Sequence, residues 1–280
     1  MRVDSHHHLW RYRADEYGWI SDDMRVLQRD YDVAALETVA KAAGIDATVA
    51  VQARQSLAEN DDLLAAAARS PLIAGVVGWV DLRAPAVDAT LATYARHPRF
   101  RGIRHVVQAE PDGFLYDPAF NQGISHLRRH GLVYDVLIVG RQLREAIVFV
   151  DRHPQQPFVL DHMAKPAIRR EQFDDEWAED FRELARRPHV TCKVSGLVTE
   201  VRDETWTVDL LRPYVDLALD CFGPDRLMMG SDWPVCRLRA EYDAWQNALG
   251  VLVGGLSSSE RAAINGGTAT RVYGLSGTDA

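Results

Sequence analysis

Short apolar runs of strand type alternate with stretches of helical spacing from one end of the chain to the other, and this alternation constrains the fold more than any other feature. Each helix carries the chain back across a sheet face before the next strand begins, so a chain of βα units builds a parallel sheet. The runs fall near residues 2–4, 47–51, 73–77, 102–104, 133–136, 158–160, 190–194 and 227–229. Eight such runs in 280 residues predict one (β/α)₈ barrel domain over residues 1–280, because barrels of this kind commonly occupy about 250 residues. Helical spacing covers residues 61–69, 142–152, 176–187 and 209–221. The pairs His97-Pro98, His153-Pro154 and Arg187-Pro188 precede the fourth, sixth and seventh runs. A proline there cannot continue a helix, so each pair ends one and feeds the next strand.

Two segments exceed a minimal barrel. Residues 9–31 are rich in Trp10, Tyr12, Tyr17 and Trp19 and follow the first strand. They start at the end where barrel active sites form, which makes them a substrate lid or pocket wall. The tail from Ser257 reads as one extra C-terminal helix, with Ser257, Ser258 or Ser259 as its N-cap and packing as its role.

A formal charge of -8, with no run of Lys or Arg, lacks the basic footprint of a nucleic-acid or acidic-membrane binder and favours a small-molecule partner. No stretch approaches the ~18 apolar residues of a membrane span and no charged-then-apolar leader opens the chain, which reads as cytoplasmic. Cys192, Cys221 and Cys236 lack CxxC spacing, so they predict buried free thiols rather than disulfides or thiolate zinc ligands. No oligomeric state follows from the sequence.

Chemistry-bearing residues gather at three strand ends. In Asp4-Ser5-His6-His7-His8, alternate residues of an extended strand share a face, so His6 and His8 project together and His7 points away. Two imidazoles on one face can ligate a metal or polarise one oxygen. The sixth run ends Leu160-Asp161-His162, and Asp161 could orient an imidazole or cap the next loop. The eighth leads into Gly230-Ser231-Asp232-Trp233-Pro234. Each signal alone has a plain structural reading: a surface cluster, a bonded strand-end His, an N-cap. Strands one and eight are neighbours in a closed barrel, however, so His6, His8 and Asp232 converge on the axis with His162 opposite. Arg104, His105 and Lys165 are the cations best placed for a ligand, with salt bridging as the alternative use, and Arg104 is the preferred partner of a carbonyl or oxyanion. Trp10, Trp79 and Trp233 offer flat faces suited to a sugar-like ring.

Asp4-x-His6-x-His8, Leu160-Asp161-His162-Met163-Ala164-Lys165-Pro166 and Gly230-Ser231-Asp232-Trp233-Pro234 together resemble the amidohydrolase superfamily. Within it they resemble the amidohydrolase-2 group, which includes L-fuconolactonase-like sugar lactonases and 2-pyrone-4,6-dicarboxylate lactonase. Residues 102–108, 193–197 and 222–227 extend the similarity along nearly the whole chain. The resemblance implies a hydrolase that opens a cyclic ester with water. Asp232 would be the general base, and His6, His8 and His162 would polarise the lactone carbonyl or hold a metal. The fifth strand has no histidine and the fourth offers Arg104 and His105, which speaks against a two-metal site. One zinc or manganese on His6, His8, His162 and Asp232 is chemically reasonable. Some lactonase relatives work without an obligatory metal, so the resemblance does not make the ion a requirement. The stretch Glu110-Pro111-Asp112-Gly113-Phe114 resembles the sugar-lactonase members and supplies no cationic pair for a dicarboxylate. A neutral aldonolactone is therefore expected, unless Arg11, Arg54 or Arg141 reaches the pocket. Metal-dependent decarboxylation, known in the same group, and a non-catalytic sugar-acid binding role are the alternatives.

Overall fold

The computed structural model describes residues 1–275. Eight parallel strands follow one another in sequence order around the sheet: β1 (Val3–His7), β2 (Ala47–Val51), β3 (Ile73–Gly78), β4 (Phe100–His105), β5 (Val133–Val136), β6 (Phe158–Leu160), β7 (Val190–Val194) and β8 (Leu227–Met229). Outside them lie α1 (Val33–Ala42), α2 (Leu57–Arg69), α3 (Val87–Tyr94), α4 (Pro118–Leu127), α5 (Leu143–Arg152), α6 (Asp175–Ala185), α7 (Val208–Phe222) and α8 (Tyr242–Leu252). The expected barrel is present as one α/β domain. Its last seam closes beyond the ends of the ladders: the Asp232 amide donates to the His6 carbonyl at 2.8 Å, and the His8 amide to the Trp233 carbonyl at 2.7 Å. Gly230 permits this approach, since a Cβ there would lie 2.8 Å from the Cβ of His6.

Strand parity decides what enters the barrel. Asp4 pairs with Thr48 and His7 with Ala50, so β1 spends three residues where β2 spends two. This bulge resets the face. Val3 below it joins the apolar barrel floor with Val49, Val77, Val133, Val159 and Met228, while His6 and His8 above it face the catalytic end. Asp4 turns outward and is held by Ser231 Oγ at 2.6 Å and Tyr242 OH at 2.9 Å, pinning β1 to β8 and α8.

The extra C-terminal helix expected from sequence is divided in two. Ser257 and Glu260 form a reciprocal cap for α9 (Ser258–Ala262), a π-turn follows over Ala263–Gly267, and α10 (Thr268–Tyr273) comes next. It packs, as expected, and Ala269, Tyr273 and Leu275 join the apolar floor. Gly266 makes the break possible, since a Cβ there would collide with the Met1 carbonyl. Among the described residues no helix is long and apolar enough to cross a membrane.

Candidate active site

His6, His8, His162 and Asp232 come together at the C-terminal end of the barrel. Asp232 Oδ1 lies 3.4 Å from His8 Nε2, 3.7 Å from His6 Nε2 and 3.8 Å from His162 Nε2. The His6 and His8 Nε2 atoms are 3.2 Å apart, and all four residues are buried. His7 turns away, as alternation requires, and meets Thr48 Oγ1 at 2.9 Å.

The backbone is bent to make this cluster. Residues 162–165 form a left-handed turn, with φ between 52° and 57° at His162, Met163, Ala164 and Lys165. No glycine relieves a conformation that costs roughly 1–2 kcal/mol per residue. The turn is locked from outside by the Trp177 indole, which donates to the Met163 carbonyl at 2.7 Å. It aims His162 at the axis, where Nδ1 meets Ser195 Oγ at 2.8 Å. Gly196, at φ 67°, leaves room for that ring, since a Cβ there would sit 2.7 Å from Nδ1.

Burial dominates the electrostatics. It pushes His162 down to about 4 against the pull of Asp232 and Asp161. His6 is held well below the ordinary imidazole range by burial and then by Lys193. Burial also lowers His8, with Asp232 opposing. All three rings are therefore neutral near pH 7. Burial would raise the Asp232 carboxyl, but His162, His8 and Lys165 outweigh it and hold it below the usual range.

A charged layer lies directly beneath. Arg104, Asp135, Asp161 and Lys193 are each 3% exposed or less. Arg104 reaches Asp161 Oδ2 at 3.1 Å and His6 Nε2 at 3.3 Å, and also bonds the Gln52 carbonyl. Two cations balance two carboxylates, which a dry interior demands. Of the two sequence readings of Asp161, capping finds no side-chain bond, and for orientation Oδ1 lies 3.3 Å from His6 Nδ1 without a hydrogen bond.

The other residues expected to meet substrate are distributed differently. Arg104 faces the site but is anchored by Asp161. Lys165 stands at the rim, half-buried, 3.7 Å from Glu200. His105 follows inward-facing Arg104 and so must point outward. There it bonds Glu110 at 2.8 Å, stacks on Phe114 at 4.9 Å and accepts from the Trp79 indole at 3.2 Å. His105 and Trp79 therefore brace the β4 loop and do not join the cluster. Trp233 is 2% exposed and packs edge-on against Tyr31. Trp10 is also buried, with its indole bonded to the Leu27 and Arg29 carbonyls. Its ring backs His8 with centroids 6.4 Å apart, so it supports the site from behind.

Residues 9–31 form a wall pinned by paired backbone bonds between Trp10 and Tyr31, at 3.0 and 2.9 Å. A cavity of about 360 Å³ lies between this wall and α2, bounded by Trp10, Tyr17, Arg54 and Glu59. None of the four clustered residues lines it.

The donor set suits one divalent ion. A carbonyl only accepts, so His8 Nδ1, 2.8 Å from the Val51 carbonyl, carries that ring's proton and its Nε2 offers a lone pair to the cluster. Ligand atoms of His6, His8 and Asp232 lie within 4.8 Å of one another, and neutral imidazoles beside a carboxylate are zinc-type ligands. On β5, Asp135 is committed to Lys193 at 2.5 Å, and that ammonium lies under His6. His6, Asp161 and His162 form a second group whose ligand atoms lie within 4.8 Å of one another.

Sequence reading assigned no role to Lys193, Asp135, Ser195 or Glu200. For Lys193 and Asp135 the available signal was a lone charge within an apolar strand, whereas Ser195 and Glu200 lie in the loop after β7 and gave none.

An amidohydrolase family model matches residues 3–275. The chain is 45% identical to an L-fucono-1,5-lactonase of Burkholderia multivorans, over 98% of this chain and 96% of that protein. It is 38% identical to an L-fucono-1,5-lactonase of Burkholderia ambifaria, over 88% and 85%. The crystal structure of a Burkholderia multivorans amidohydrolase with bound zinc superposes with a TM-score of 0.94 at 44% identity, covering 99% of this chain and all of that one.

Proposed function

The chain belongs to the amidohydrolase family, and from that premise we propose that it is a lactonase that opens an L-fucono-1,5-lactone-like aldonolactone with water activated by Asp232. The observation that carries this reading is the meeting of Asp232 with three neutral imidazoles at one barrel end. Lactone hydrolysis needs a base for the water, a partner for the carbonyl oxygen as it gains charge, and a proton for the ring oxygen as it leaves. Asp232 takes the water proton as the new C–O bond forms. It returns that proton to the ring oxygen when the ester C–O bond breaks, giving the hydroxy acid.

His6 and His162 would present Nε2 to the carbonyl, His8 Nε2 offers a lone pair and so serves as a metal ligand, and Lys165 supplies positive charge at the rim. His6, His8, His162 and Asp232 would hold a single zinc or manganese, which when bound acts as a Lewis acid on the carbonyl oxygen. A neutral sugar lactone suits the surroundings. Arg54 is tied to Glu16 and Asp62 and Arg141 to Asp112, while Arg11 is exposed and lines the cavity beside residues 9–31, which none of the four clustered residues lines.

Proton release from a panel of aldono-1,4- and aldono-1,5-lactones, with and without chelator, tests substrate class and metal need together. L-fucono-1,5-lactone is expected to turn over, and Asp232→Asn to lower kcat/KM by about 10³, within the span of general acid–base effects. Turnover by Asp232→Asn at the unmodified rate would exclude the assignment.

A further inference from the structure

Lys193 sits inside β7 with no exposed side-chain surface, and lactone opening as described makes no use of it. An ammonium has three N–H donors. Three groups surround Nζ: it donates to Asp135 Oδ2 at 2.5 Å, pairs with Asp161 Oδ1 at 3.0 Å, and lies 3.1 Å from His6 Nδ1, which accepts from it when the ring proton is on Nε2. Asp135 is clamped in turn by the Tyr273 hydroxyl, 2.9 Å from both carboxylate oxygens. The Tyr273 ring lies under the ammonium, 5.5 Å from Nζ to centroid. Tyr273 belongs to α10, which enters the barrel from the end opposite the active site. A continuous chain of bonds thus runs along the barrel axis from the C-terminal helix to the imidazole of His6.

We propose that Lys193, held by Asp135 and Tyr273, is a positioning residue that fixes the His6 ring for catalysis, and that α10 is thereby part of the construction of the active site. Among the described residues Asp161 is the one other protein group at His6 Nδ1, and Asp161 is shared between Arg104 and Lys193. Without the ammonium, the ring is held on that side by a single carboxylate. Outer partners of this kind typically govern ligand orientation with effects of 10- to 100-fold. The proposal rests on His6 acting in the reaction described above, so its test includes a readout that needs no turnover.

Two variants separate positioning from stability. Tyr273→Phe deletes only the hydroxyl that holds Asp135. Lys193→Met/Asp135→Asn removes one positive and one negative charge together, so the interior stays balanced by Arg104 and Asp161, and Met fills the space of the lysine stem. Each is examined for kcat and KM on L-fucono-1,5-lactone, for melting temperature, and for the ¹⁵N shifts of the His6 ring, assigned by their loss in His6→Asn. The expected result is displaced His6 shifts in both, with kcat lowered about 10-fold in Tyr273→Phe and about 100-fold in the double variant, and KM held within about twofold. Unchanged His6 shifts overturn the proposal whatever the activity does, as does a fall in melting temperature with kcat intact. Should the unmodified protein open no lactone, the lactonase reading fails, and the ring shifts alone still decide whether Lys193 positions His6.

Discussion

The interior of the barrel changes character along its axis. At the floor, Val49, Val77, Val133, Val159 and Met228 meet Ala269 and Tyr273 in an apolar cluster. One layer higher, Arg104, Lys193, Asp135 and Asp161 are as fully buried but charged. Burial of apolar surface is non-directional, so the floor accepts any set of side chains of the right volume. The charged layer has no such freedom, because each ion offsets its desolvation only through specific partners. The barrel therefore supports its reactive end on the least substitutable part of its core. That arrangement makes sense if orientation of the imidazoles, more than stability, is what the layer supplies.

The sharpest way to break this contrast is to compare one substitution from each layer. Arg104→Met leaves the buried Asp161 to Lys193, which is already shared with Asp135, and loss of one partner from a buried ion pair costs about 3–5 kcal/mol. Met228→Leu keeps floor volume and is expected to cost less than about 1.5 kcal/mol. Urea unfolding of the two variants measures both. Equal losses would mean that the charged layer is no more exacting than the floor.

The two glycine contacts at opposite barrel ends sharpen the contrast with a smaller effect. A Cβ at Gly230 would press on the Cβ atoms of His6 and Ser195, at 2.8 and 3.1 Å, whereas one at Gly266 would press on the Met1 carbonyl and the Val3 amide. Overpacking costs typically 1–3 kcal/mol in either place. Only at Gly230 does the displaced group belong to the reactive cluster, and a shift of about 1 Å there can cost about 100-fold. Gly230→Ala is thus expected to lower kcat/KM about 100-fold, while Gly266→Ala destabilises to a similar extent and keeps kcat/KM within about threefold. A comparable loss of activity in both variants would contradict any functional division between the ends.

The same division explains which parts of the molecule could be read in advance. His6, His8, His162 and Asp232 were legible because polar residues break apolar runs where strands end, and barrel closure then puts strands one and eight side by side. Lys193 and Asp135 were not, because a single charge in mid-strand reads locally as an outward residue, and only the parity of the finished barrel turns it inward. The β1 bulge was invisible for the same reason: it concerns the register against β2 and leaves no mark on β1 itself. The outward direction of His105 is legible in sequence, since an inward Arg104 forces its neighbour outward. Trp10 and Trp233 look like ligand surfaces in sequence. Their burial depends on the fold of residues 9–31, where Tyr31 packs edge-on against both rings.

The smallest expected effect concerns the left-handed turn that carries His162. Ala164 holds φ at 57° with its methyl fully buried. Glycine would remove a left-handed penalty of about 1–2 kcal/mol but lose about 0.5–1 kcal/mol to greater freedom of the unfolded chain, together with part of a methyl contact. Ala164→Gly should therefore change stability by less than about 1 kcal/mol, on the stabilising side, read as a small rise in the urea midpoint. Its effect on activity is the more telling quantity. If the Trp177 bond to Met163 alone holds the turn, kcat stays unchanged. If the Ala164 methyl also holds it, the turn loosens, His162 loses its aim at Asp232 and kcat falls while the midpoint rises. The indole bond at 2.7 Å favours the first result, and a kcat lowered more than about threefold would instead assign part of the aiming to the packed methyl.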